Sequence, residues 1–118
     1  MIYRIAEQAD WNRAQRDGFF VSADLAAEGF IHCSQQHQVS QTAQKYYAGK
    51  IALVLLEIDA AALGAALVHE DLTGSGMFPH VYGPIPLNAV LRHFDFAVDA
   101  DGRFTLPPGM GLPSNSKD

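Results

Sequence analysis

Ile51-Ala52-Leu53-Val54-Leu55-Leu56-Glu57-Ile58 is the most continuous apolar run in the chain. It has the length of a strand rather than of a core helix, and Gly49-Lys50 and Asp59 bound it, so it reads as a central strand covered on both faces. Before it, residues 35–47 place Val39, Ala43, Tyr46 and Tyr47 at helical offsets, which predicts a helix with one apolar face and a wet Gln/Ser/Lys face. After it, Asp59 can cap a turn over residues 60–63 that Gly64 ends, and Leu67-Val68-His69-Glu70 resumes an extended pattern. Farther upstream, Ile2-Tyr3-Arg4-Ile5 is a short β-prone run. Asp10 is the expected cap of a helix through Asp17, closed by Gly18, and Ser22 that of a shorter helix through Glu28, closed by Gly29. Phe30-Ile31-His32-Cys33-Ser34 reads as a strand. Met77-Phe78-Pro79-His80-Val81-Tyr82 reads as an irregular extended segment, in which Pro79, lacking an amide hydrogen, belongs at an edge or in a loop. Residues 90–98 alternate as a strand, and Asp99-Ala100-Asp101-Gly102 is expected to turn them into a partner strand, Arg103-Phe104-Thr105-Leu106. Short strands among short helices predict a small α+β domain with a central mixed or split β-sheet. Residues 1–106 form this single domain, and residues 107–118, rich in Pro, Gly and Ser, read as a flexible tail.

Composition narrows the function classes. The chain has 118 residues and a formal net charge of −5, from 8 Lys+Arg and 13 Asp+Glu. A chain of this length buries enough surface to fold without a disulfide or a metal. The lone cysteine, Cys33, cannot form an internal disulfide and suits a reducing cytosol. The first dozen residues lack a signal-peptide pattern, and no apolar stretch approaches the ~20 residues of a membrane helix, so a cytoplasmic protein without membrane contact is expected. Without a cationic excess, general binding to duplex nucleic acid is not expected, while a confined pocket for one small anionic or nucleotide ligand is compatible with the charge. Oligomeric state is not legible.

Polar chemistry interrupts two of the extended segments in the same way. Alternation puts Phe30, His32 and Ser34 on one face of the first, and Phe78, His80 and Tyr82 on one face of the second. If the two faces meet, two imidazoles, a hydroxyl and a phenol line one apolar-walled cleft, the usual make-up of a small-molecule site. Against this stands the commoner role of a strand histidine, bonding to neighbouring backbone inside a core. Cys33 points away from His32 and reads as core filler. His32, Cys33 and His37 lack a zinc spacing, so no metal is expected. Gly74-Ser75-Gly76-Met77 fits no phosphate loop. Ser22 and Asp24 read as helix-capping residues, and Glu70 and Asp71 as a solvated face.

The same segments carry a family resemblance. Ile2-Tyr3-Arg4-Ile5, the stretch from Asp24 through Gly29-Phe30-Ile31-His32-Cys33-Ser34, Gln38-Val39, Ala48-Gly49, residues 53–59 and Phe78-Pro79-His80-Val81-Tyr82-Gly83-Pro84 resemble the bacterial domain-of-unknown-function 952 family. The resemblance covers nearly the whole chain up to about Phe96. That family is in turn distantly similar to the ADP-ribosyltransferase fold, above all to its RNA 2'-phosphotransferase branch, which presents a histidine followed two residues later by a hydroxyl residue, as His32 and Ser34 are here. The resemblance implies an ADP-ribosyltransferase-like fold and NAD as cosubstrate. It implies that Arg4 lies near the ribose or pyrophosphate and that Tyr82 stacks on the nicotinamide; with the alternation of the two segments, this makes His32 and His80 the candidate catalytic residues and Arg4, Ser34 and Tyr82 the candidate ligand-binding ones. The chain departs from it in lacking the several arginines of the phosphotransferase branch, and Glu70 is the only loose counterpart of the toxin-type catalytic glutamate. Three readings remain: an NAD-dependent transferase of ADP-ribosyl or phosphoryl groups, a non-catalytic module for a nucleotide or small anion, and a structural or partner-binding domain.

Overall fold

The computed structural model describes residues 1–110. The apolar run becomes β4 (Leu53–Ile58), and all six of its residues are buried. It is the middle strand of an antiparallel sheet, between β1 (Ile2–Glu7) and β8 (Val90–Phe96). Strand alternation sorts the core into two halves. Val54, Leu56 and Ile58 join Ile2 and Ala6 of β1 and Trp11 and Ala14 of helix α1 (Gln8–Asp17). Leu53 and Leu55 join Tyr3 and Ile5 and meet Val39 and Ala43 of helix α3 (Val39–Tyr46). Each fully buried leucine here contributes roughly 1.5–3 kcal/mol of apolar burial, which is why so short a run organises the domain.

A second antiparallel sheet has the order β3-β6-β5, with β3 at Ile31–His32, β5 at Leu67–Glu70 and β6 at Phe78–Val81. A single bridge joins it to the first: the Tyr3 and Ser34 amides each donate to the other's carbonyl at 2.7 Å. A two-stranded pair, β2 (Phe19–Phe20) with β7 (Ile85–Pro86), completes the strands. The described domain is thus α+β with a split sheet, and its strand pairs are antiparallel rather than mixed.

Several local expectations change. Helix α1 starts at Gln8 rather than after Asp10, which lies in the first turn and pairs with Arg13 at 2.9 Å. Ser22 does occupy the cap position of helix α2 (Ala23–Glu28), but its hydroxyl donates to the Asp24 carboxylate and accepts no hydrogen bond from the helix backbone. Pro79 lies in the middle strand of its sheet, not at an edge. It is tolerated because it faces the point where β3 ends: its carbonyl accepts from the Cys33 amide at 3.0 Å, and the ladder needs no donor from it there. Residues 103–106 do not pair as a strand. Asp99 forms the turn, accepting from the Asp101 and Arg103 amides at 2.9 Å, but the returning chain is held by ring packing, Phe104 lying 4.9 Å from Phe96. Met110, within the segment read as tail, is buried in the second half of the core. The rest of that expected tail, 111–118, lies outside the described residues.

Candidate functional site

The register of β3 on β6 sets His32 directly opposite His80. Their rings stand edge to face with centroids 5.2 Å apart. Phe30 ties the group together, stacking on His80 at 4.2 Å and lying 4.7 Å from His32 and 5.2 Å from Tyr82. The two histidine segments therefore converge.

Glu70 of β5 enters the same group, because antiparallel pairing with β6 makes it a diagonal neighbour of His80. Its Oε2 lies 2.8 Å from His80 Nδ1 and also accepts a hydrogen bond from the Tyr82 hydroxyl. An ionised carboxylate only accepts, so Nδ1 of His80 carries a proton, and in the neutral ring Nε2 is the nitrogen with the lone pair. Among the described residues, Arg4 Nε is the only buried side-chain nitrogen or oxygen lacking a hydrogen-bond partner. No hydrogen bond from the described residues reaches His80 Nε2, yet it is not such a buried orphan, so this otherwise buried ring keeps Nε2 accessible on the cleft that His80 lines. The Tyr82 bond, with that of His80, holds the Glu70 carboxyl below its ordinary value, and the same bond to Glu70 raises the Tyr82 phenol. Sequence reasoning placed Glu70 on a solvated face. The available signal was the alternation of residues 67–70 followed by the Gly-rich turn, which makes a hairpin with the His80 strand.

His32 is about half exposed, and its Nε2 lies 3.1 Å from Glu28 Oε2. Its backbone is fixed from behind. Arg4 Nη1 donates to the His32 carbonyl at 2.9 Å and to Asp24 Oδ2 at 2.6 Å, while that oxygen accepts from the His32 amide at 2.9 Å. Burial alone would raise the Asp24 carboxyl. The Arg4 charge and the bonds from His32, Ser22 and Arg4 outweigh it and leave it lowered. Asp24 is thus the pivot of the His32 segment as well as a helix-start residue.

Arg4, His32, Ser34, Glu70 and His80 line one cleft of about 780 Å³ along the seam between β1 and β3, within the roughly 300–1,000 Å³ typical of small-molecule sites. Ser34 is buried on this wall, its Oγ 3.0 Å from Thr42 Oγ1. Lys45, Tyr46 and Lys50 supply charge and an exposed ring at the side of α3. Tyr82 stands behind Glu70 and against Phe30. Cys33 is buried in the core, and burial pushes its thiol up to about 12. Among the described residues, no group of three or more His, Cys, Asp or Glu side chains is placed to hold a metal ion, and no helix is long and apolar enough to cross a membrane.

Fold and cleft together define a small antiparallel α+β protein with a pocket of histidines and carboxylates. The chain belongs to the family described as "Protein of unknown function (DUF952)", whose model matches residues 5–93. It is similar to protein CC0527 from Caulobacter crescentus. The crystal structure of that protein is 41% identical, with a TM-score of 0.81, and the match covers 88% of this chain and 92% of that one. Its solution NMR structure is 42% identical, with a TM-score of 0.75, covering 86% of this chain and 88% of that one. No curated protein matches the chain.

Proposed function

We propose that the cleft binds a nucleotide of the NAD type and that the protein is an ADP-ribosyltransferase-like enzyme. The observation that carries this reading is the pairing of His32 with His80 on one cleft wall, with Ser34 farther along it. The residues fit such a ligand. Phe30 and Tyr46 give an aromatic border, Ser34 a hydroxyl, and Arg4, Lys45 and Lys50 local cations set among the carboxylates Glu7, Asp24, Glu28 and Glu70 of the same lining. Arg4 acts as a fixed charge whose position Asp24 sets. NAD supplies an ADP-ribosyl group already activated by its cationic nicotinamide leaving group. His32 and Ser34 orient the ligand, and His80 faces the reacting end. A cytoplasmic setting, where NAD is abundant, suits the unpaired Cys33.

Titration with NAD and with ADP-ribose, followed by the amide resonances of residues 30–34 and 78–83, tests the pocket. Shifts confined to those residues and lost in His32→Ala support it, and none at millimolar ligand would sink it. Nicotinamide release with protein and RNA acceptors then tests catalysis. Binding without release identifies a non-catalytic nucleotide module instead.

A further inference from the structure

We propose that His80 Nε2 is the proton acceptor of the cleft, set in that state by Glu70 and Tyr82, and that the group it activates is a hydroxyl, of water or of an acceptor molecule. The inference rests on the NAD-transfer reading for its electrophile but on geometry for its base. A histidine with one ring nitrogen donating to a carboxylate and the other open to a cleft is arranged to take a proton at the open nitrogen. Nδ1 of His80 is committed to Glu70 at 2.8 Å, and the Tyr82 hydroxyl on the same carboxylate oxygen limits its rotation. Phe30, stacked 4.2 Å from the imidazole, fixes the ring plane. Glu70 and Tyr82 are positioning residues, because they act through His80.

His32 offers an internal contrast. Its Nε2 is the nitrogen facing a carboxylate, Glu28 at 3.1 Å, so the two neighbouring imidazoles carry opposite tautomers. The substrate class follows from the need for a base. An alcohol or water keeps its proton at neutral pH until a base takes it, whereas a carboxylate acceptor is already ionised and a thiol is partly so. In the transfer, the acceptor O–H bond breaks and its proton passes to Nε2. The oxygen pair forms the bond to ribose C1', and the pair of the C1'–N bond leaves with nicotinamide, which departs neutral. Glu70 balances the imidazolium.

Long-range proton–nitrogen correlation spectra of the labelled protein read the tautomers without any ligand. The expected result is a protonated Nδ1 on His80 and a protonated Nε2 on His32. Glu70→Ala should abolish the His80 preference, and Glu70→Gln, whose amide oxygen still accepts from Nδ1, should restore it. In the nicotinamide-release assay with water or an alcohol as acceptor, His80→Gln should lower kcat by roughly 10²–10⁴-fold while leaving the NAD-induced amide shifts in place. A protonated Nε2 on His80, or kcat retained by His80→Gln, overturns the assignment. Correct tautomers in a protein that does not bind NAD overturn the NAD reading instead, so the two failures are distinguishable.

Discussion

Tyr3 and Glu57 face one another across β1 and β4, and the phenol donates to Glu57 Oε2 at 2.8 Å. Glu57 is the one acidic residue of the central strand and is fully buried. From the other side, Arg92 of β8, which is paired in register with Glu57, reaches Oε1 through Nε at 2.6 Å and Nη2 at 2.5 Å. A single carboxylate thus cross-links all three strands of the sheet.

Removing either partner leaves part of a buried charge uncompensated. Tyr3→Phe should cost about 1.5–3 kcal/mol, the range for a hydrogen bond to a charged group. Arg92→Leu should cost about 3–5 kcal/mol, the range for breaking a buried ion pair. Urea denaturation measures both. Values within about 0.5 kcal/mol of the parent, as for an ordinary surface substitution, would show that the cluster is energetically idle.

The Arg4–Asp24 pair makes stability depend on pH in a definite direction. The Asp24 carboxyl is lowered from its ordinary 3.8, so the folded state favours its ionised form. Its stabilising contribution is present above that ordinary value and is lost as pH falls through the lowered one. Asp24→Asn should therefore be less stable than the parent at neutral pH, and the gap should close on acidification. The amide of His32, which Asp24 accepts at 2.9 Å, should also exchange faster with solvent in the variant. A gap that is constant down to the acid transition contradicts this account.

Much of this architecture was legible in the residues because its signals are local. The period and length of residues 51–58 identify β4, and glycines mark the ends of α1 and α2, where Gly18 and Gly29 adopt φ of 92° and 90°. The pairing of the two histidine segments was legible as an equivalence of pattern but not as contact, because register between strands 48 positions apart is set by packing of the whole domain. Glu70 stood out only through the family resemblance, because by residue pattern a carboxylate beside Asp71 looks like solvated surface until β5 is paired with β6. The expected strand at residues 103–106 failed for the converse reason: a good turn sequence does not supply a ladder partner, and Phe104 found a ring to pack on instead.

Cys33 is a test of the boundary between core and cleft. Burial raises its thiol to about 12, so at neutral pH it carries almost no reactive thiolate. An aromatic disulfide reagent should leave it unmodified in the native protein and label it promptly in denaturant. Fast native labelling would mean that the β1–β3 seam opens and exposes the thiol to the cleft that Cys33 borders.

The bond from Tyr82 to Glu70 can be read separately from catalysis. It is the foremost cause of the lowered Glu70 carboxyl, ahead of the bond from His80. Tyr82→Phe should therefore raise the Glu70 carboxyl toward its ordinary 4.5 without reaching it, since His80 still donates. In the reverse direction, Glu70→Gln should lower the Tyr82 phenol toward its ordinary 10.0, because the ionised acceptor that favours the protonated phenol is gone. Carboxyl-carbon chemical shifts follow the first change across an acid titration, and phenolate absorbance follows the second across an alkaline one. Because folding favours the ionised Glu70, the ordering it gives the Tyr82 ring is complete above 4.5 and is lost as pH falls through the lowered value. Ring resonances of Tyr82 that do not move over that acid range would show that the phenol is positioned by Phe30 alone.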